Sequence, residues 1–521
     1  MYKLVISKLG LCSSLKHLYQ LHGFLILTGF YNDDIIFSKL IETCSRVGLS
    51  DYGHFVFKRK YEPSIYVYNT MINSLSSAKE SLFLFKNIRV VGLIPDSYTF
   101  PFVLKAVNRL LDGSVAKQVH GQVIRSGFQQ DIHVAIALVR VYSTSGCVED
   151  ARYVFDEIPK LDNVALWNAM LAGYAGVGDM DSAQQMFESM KVKNVISWTS
   201  VISGYVHVKR PKEAIEIFQR MRGEGVELDE VALLAALSAC ADLGALELGK
   251  WIHRFIDQHR LHMTVSLCNA LVDMYVKSGN INKALQVFER TTYKNVVSWT
   301  TIIVGLASHG LGREALEMFS RMERAGTRPN EITFIGILSA CSHVGLVELG
   351  LSYFNSMSCK YGVTPKIQHY GCIIDLLGRA GSLQEAEDLT RSMPFNANAA
   401  IWGSLLASAR THGDSSLATK ALEQLSILEP TNSGNYTLLC NTYATLGEWN
   451  ETRSVRKTMR SSRLKKLPGG SFIEVNGCIH NFVAGIITNP DAKVIDQVLW
   501  DIYQQCKMEK DEMKEDHLLT R

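Results

Sequence analysis

Five times in this 521-residue chain, a short polar residue just after an aromatic position is followed 26 to 30 residues later by Asp or Asn. The pairs are Asn69 with Asp96, Asn168 with Asn194, Thr199 with Asp229, Asn269 with Asn295, and Thr300 with Asn330; Cys268 fills the aromatic position in the fourth. A carboxylate only accepts hydrogen bonds, an amide both donates and accepts, and a hydroxyl does either at shorter reach. Such pairs can recognise a ring edge, but they hold no nucleophile and no general base. The same residue types also cap helices and close turns. A cap accounts for one polar residue; it does not account for five pairs in one register.

Other chemistry-bearing residues lead nowhere. Gly244 to Lys250, GALELGK, fits most of a phosphate-binding loop, but Trp251 stands where Ser or Thr would hold magnesium. Gly345 to Gly350 repeats it without the Lys, which marks repeat packing. His120 and His253 lack a convergent Cys or carboxylate set, so packed or solvated histidines are expected and no metal. Trp167, Trp198 and Trp299 recur at one position and read as core.

The elements that position the pairs follow from periodicity. Trp198 and Trp299 lie 101 residues apart, as do Cys240 and Cys341 in LSACADLGALELG and LSACSHVGLVELG. This super-period divides into units of 35, 35 and 31 residues, at 195–229, 230–264 and 265–295. Each unit reads as two short helices. In 195–229, Val201, Ile202 and Tyr205 form one apolar face; Lys209 to Pro211 turn the chain; Ala214, Ile215, Ile217, Phe218 and Met221 form a second. Gly223 and Gly225 supply the stop. Neither helix buries its stripe alone, so units must stack into an all-α solenoid of helix-turn-helix repeats, right- or left-wound. In the same register come 34–64, 65–96, 97–131, 132–162, 164–194, 296–330, 331–366 and 367–398, with Asn163 as an extra residue and 15–33 as the tail of one more unit. About eleven complete helical pairs result.

Composition agrees. With 47% hydrophobic and 20% charged residues the chain should fold throughout. A net charge of +3 argues against avid non-specific duplex binding while permitting a local basic groove. Eleven Cys include no C-x-x-C, which suggests thiols in a reducing compartment. No apolar window reaches the roughly 18 residues of a spanning helix, so no membrane partner is expected. Lys3, Lys8 and Lys16 with no acid before Asp33 suit an organelle-targeting segment over 1–33, although the first Arg is Arg46.

NALVDMYVKSGNINKALQVF, SWTSVISGY, LSACSHVGLVELG and IIDLLGRAGSLQEAEDLTRSMP resemble pentatricopeptide repeats (PPR) of the plant PLS subfamily. The resemblance implies an all-α, right-handed α-solenoid whose repeat array would cover 34–398. AAIWGSLLASARTHG and SGNYTLLCNTYATLGEW resemble the two E motifs, within 399–466, and PGGSFIEVNGCIHNFV resembles the E+ extension, within 467–521. The resemblance implies single-stranded RNA as ligand, with each polar pair facing one base. Asp in the last position suits a ring nitrogen carrying hydrogen, in U or G, and Asn suits A or C; Thr in the first leaves room for a purine, Asn favours a pyrimidine. By the family's code Asn69/Asp96 implies U, the two Asn/Asn units C or U, Thr199/Asp229 G, and Thr300/Asn330 A. Ile196 and Val297 would sit between successive bases. Pro101, Ile136, Leu234, Ile335 and Gly371 occupy the first position elsewhere and cannot form such a pair.

The resemblance further implies a site-recognition factor for C-to-U editing in an organelle, the mitochondrion or alternatively the chloroplast; the alternatives are an RNA stability or splicing factor without an editing role, and a protein-binding helical-repeat scaffold. A zinc nucleobase deaminase needs H-x-E and P-C-x-x-C. The sequence contains neither, and it ends in DEMKEDHLLTR. The expectation is therefore a non-enzymatic protein without cofactor, with a DYW-type deaminase and other editing proteins acting in trans. Arg453, Arg456, Lys457, Arg460, Arg463, Lys465 and Lys466 form the densest basic run, either a solvated face or a contact to RNA or a partner.

Overall fold

The structure is a computed structural model that describes residues 2–158, 163–461, 469–475, 478–484, 494–495 and 497–504. It is built almost wholly of short antiparallel helical pairs. The chain divides into two compact units, 1–236 and 237–521, and the division falls inside the helix Glu230–Leu243.

In the first unit the pairs run from Tyr2–Leu11 with Leu15–Leu27 to Val195–His207 with Pro211–Gly223. In the second they run from Val265–Lys277 with Ile281–Arg290 to Ser433–Thr445 with Trp449–Ser461, preceded by Leu246–Gln258. Within each unit the first helix of a pair packs on the first helix of the next and on its own second helix. Ile202, Tyr205, Phe218 and Met221 are completely buried where two such contacts meet. The apolar stripes of single helices thus form one continuous core per unit.

The 101-residue period is visible as packing. A Cβ on Gly204 would lie 2.8 Å from the Ala175 Cβ, and one on Gly305 would lie 2.7 Å from both Val276 methyls, so the first helices approach more closely there than a side chain permits. Arg220 donates to both oxygens of Glu188 at 2.6 and 3.1 Å, and Arg321 to both of Glu289 at 2.6 and 3.0 Å. These bidentate bonds hold both carboxyls below the usual range and tie consecutive second helices together. Each guanidinium also lies over a buried indole, Arg220 over Trp198 and Arg321 over Trp299.

Three places depart from the expected architecture. Residues 2–27 form a full helical pair, one helix more than the anticipated tail of a unit. Arg46 holds its first helix by donating to the Leu9 and Gly10 carbonyls at 2.6 Å each. Asn163 is no extra residue: it caps Val164–Val177 by accepting from Ala165 N and Leu166 N, so it takes the last position of the preceding unit. The tail adds an antiparallel hairpin, Gly470–Val475 with Cys478–Val483, to an otherwise helical chain. No helix among the described residues is long and apolar enough to cross a membrane.

Candidate nucleic-acid interface

The first residue of every polar pair is the fifth residue of a first helix; the second residue directly precedes the next first helix, with Asp96 a little further ahead of Thr99–Asn108. Stacking of first helices brings the two together. Asn69 Nδ2 donates to Asp96 Oδ1 at 2.9 Å, Asn168 Nδ2 to Asn194 Oδ1 at 3.0 Å, and Asn269 Nδ2 to Asn295 Oδ1 at 3.4 Å. Thr300 and Asn330 meet through Thr333, whose Oγ1 lies 2.7 Å from Thr300 Oγ1 and 2.9 Å from Asn330 Oδ1. Among the described residues no hydrogen bond joins Thr199 to Asp229. Thr199 donates to Ile196 O at 3.2 Å, and Asp229 Oδ1 accepts from Ala232 N at 2.8 Å.

Capping uses one polar atom of each side chain and leaves the other. Asn194 Oδ1 accepts from Ser197 N at 3.1 Å, Asn295 Oδ1 from Ser298 N at 3.0 Å, and Asn330 Oδ1 from Thr333 N at 2.9 Å. A backbone N–H requires an acceptor, so the amide oxygen must face the helix and Nδ2 must face away, ready to donate. Asp96 Oδ1 takes Asn69 Nδ2, Tyr98 N, Thr99 N and Thr99 Oγ1 together, within 2.8–3.0 Å. Its second oxygen remains as an acceptor. Each last residue therefore offers one kind of polar atom outward: a donor from Asn, an acceptor from Asp.

Ile196 and Val297 are half exposed at the second residue of their helices. Tyr66, Val231 and Ile332 occupy the same position with the same exposure and belong with them. They were legible by counting two residues on from the unit end. Trp198 and Trp299 are buried against Phe187 and Phe288, at ring-centroid separations of 4.8 and 5.0 Å, and Trp167 packs on Phe155 at 5.0 Å.

The remaining candidates resolve as packing. Gly249 lies inside Leu246–Gln258, where a Cβ would meet Met274 Sδ at 2.3 Å, and Gly350 faces Leu376 likewise. His120 Nδ1 and His253 Nδ1 pair with the hydroxyls of Tyr142 and Tyr275 at 2.9 Å each, and His22 pairs with Tyr52 at 2.6 Å. Burial pushes all three imidazoles below the ordinary histidine range. No cluster of three or more His, Cys, Asp or Glu able to hold a metal occurs among the described residues. Arg453, Arg456, Lys457 and Arg460 line a shallow depression beside exposed Trp449; Arg463, Lys465 and Lys466 lie outside the described residues.

Stacked helical pairs, five of them carrying a polar pair at one register, define a modular helical-repeat protein. Residues 193–242 and 294–343 match the PPR repeat family, residues 165–195, 266–296 and 369–396 match the PPR repeat, and residues 412–474 match the E motif. A pentatricopeptide repeat-containing protein of Arabidopsis thaliana is 50% identical over 503 residues, covering 95% of each chain. Another from that plant, designated chloroplastic/mitochondrial, is 34% identical and covers 96% of this chain and 76% of its own. The crystal structure of the maize pentatricopeptide repeat protein PPR10 shares the fold, with a TM-score of 0.54 at 16% identity over 84% of this chain and 75% of that one. The chain belongs to the pentatricopeptide repeat family and carries an E motif.

Proposed function

We propose that this protein binds one organellar transcript as a single strand and positions a cytidine for C-to-U conversion by a DYW-type deaminase supplied in trans. The observation that carries the reading is the division of labour inside each last residue. One atom caps the next helix, so the other is aimed outward with a fixed hydrogen-bonding sense. Read in chain order, the pairs specify U, two unread positions, a pyrimidine, G, one unread, a pyrimidine, A, two unread, a short gap and the target C. Half-exposed Tyr66, Ile196, Val231, Val297 and Ile332 supply stacking surface that does not choose a base.

The E motif and the tail beyond it serve recruitment, together with other editing proteins, and the chain itself performs no chemistry. The designation of a relative as chloroplastic/mitochondrial supports an organellar address, and the mitochondrion is the assignment made here, with the chloroplast as alternative. Comparing organellar cytidine editing with and without the gene tests the reading. Loss of editing at a site preceded by the proposed word is expected; unchanged editing at every matching site contradicts it.

A further inference from the structure

The residue that follows each last position by three holds a hydroxyl in four of the five pairs: Thr99, Ser197, Ser298 and Thr333. Its bonds exceed those of a plain cap. Ser197 Oγ accepts from Asn194 N at 3.2 Å and lies 2.7 Å from Asn168 Oδ1 and 3.1 Å from Asn194 Oδ1, touching both members of the pair. Thr333 Oγ1 accepts from Asn330 N at 3.2 Å and stands between Thr300 Oγ1 and Asn330 Oδ1. The protons are determined by elimination. Asn330 Oδ1 can only accept, so the single Thr333 proton goes to it, and Thr300 must donate to Thr333. Asn330 is thereby held by two bonds on Oδ1, and buried Thr300 keeps its own accepting capacity. Ser298 Oγ likewise donates to Asn295 Oδ1 at 3.1 Å. Ala232 stands at this place after Asp229, and there the pair is not joined.

We propose that the hydroxyl three residues after each last position is a positioning residue for base selection: it locks the amide or carboxylate of the selector in one orientation and, at Ser197 and Thr333, also touches the selector's partner. Ala232 leaves the Thr199/Asp229 pair without this lock. The proposal rests on the base-reading function above. An amide held by one bond can turn and offer its oxygen to the wrong ring edge; an amide held by two resists turning. Asp229, whose two oxygens both accept, offers an acceptor whichever way it turns, so the hydroxyl missing at Ala232 costs the aim of that acceptor and not its kind. Ser197 and Thr333 are fully buried, as is Ala232, so a serine hydroxyl at 232 has precedent in its surroundings.

The test is a binding series on the full-length protein with RNA oligonucleotides of the proposed word, carrying A or G opposite Thr300/Asn330. Thr333→Val keeps the branched shape and removes the hydroxyl; Thr333→Ser restores it. The A-over-G preference should fall about fivefold in Thr333→Val, as for one lost hydrogen bond, and return in Thr333→Ser. Ala232→Ser should raise the G-over-A preference opposite Thr199/Asp229, which decides the matter if Thr333→Val does not fold. Equal weakening toward A and G in Thr333→Val would mean a cap and nothing more. An unchanged preference in Thr333→Val or in Ala232→Ser would overturn the proposal while sparing base reading. A wild-type protein with no A-over-G preference would remove both.

Discussion

At Asp229 the two duties of a selector can be separated by substitution. Its Oδ1 caps the following helix through Ala232 N. Asn caps a helix as well as Asp does, so Asp229→Asn should leave thermal stability nearly unchanged while moving base preference at its position from G toward A by about fivefold. Asp229→Ala should instead cost about 1 kcal/mol of stability and abolish the preference, as read by thermal denaturation beside gel-shift titration. A purely structural residue would show the first effect without the second. The register of the selectors was legible in the sequence because aromatic residues such as Trp198 and Trp299, and Gly92, Gly127, Gly225 and Gly326 after some of the second helices, fix where a unit begins and ends. The locking hydroxyls were not. Ser197 or Thr333 three residues into a helix looks like any first-turn residue, and only the bond to the preceding unit, 29 residues from Ser197 and 33 from Thr333, distinguishes it.

Helical pairs carry the next level of prediction. Gly305 faces the two methyls of Val276, a β-branched residue with little freedom to move aside, so Gly305→Ala should destabilise the protein by about 1–3 kcal/mol in denaturant titration. Gly249→Ala should cost less, because the opposing Met274 side chain is flexible. His22, His120 and His253 are kept below their ordinary pKa by burial, partly offset by Glu157 and Asp150 at His120 and by Asp257 at His253. The folded chain then binds fewer of these protons than the unfolded chain below about pH 6.5. Stability is complete above that pH and falls as pH drops through the histidine range, before ordinary carboxylates titrate. Melting temperature should decline from pH 7.5 to pH 5.5, and replacing the three histidines by Gln should flatten the decline. The helices themselves were legible from the 3.6-residue spacing of Ala214, Ile215, Phe218 and Met221. The hairpin is not legible in the same way: Asn476-Gly477 is a favoured turn dipeptide in the sequence, but neither GSFIEV nor CIHNFV alternates polar with apolar residues, so the period of two that marks a strand is missing.

Across the whole chain, charge is arranged to avoid a strong non-specific field. Lys277 lies between Asp242 and Asp273 at 3.5 and 2.9 Å, and Arg379 donates to Asp375 at 2.8 Å, so these first-helix cations are already neutralised within the second unit. With these first-helix cations held by carboxylates, few phosphates can be paired along that surface, and the logarithmic dependence of RNA affinity on salt should have a slope shallower than about −2. Direct readout of bases must then supply the discrimination. Removing 399–521 should leave RNA affinity largely intact and abolish editing, since the E motif at 412–474 is assigned to recruitment and the polar pairs all precede it. Binding of the purified full-length protein to an RNA bearing the proposed word, titrated beside a scrambled RNA of equal composition, tests the central claim most directly. The account predicts at least about a hundredfold preference for the word, the product of a few fivefold contacts. Equal affinity for the two RNAs, or a preference for the scrambled one, would contradict it.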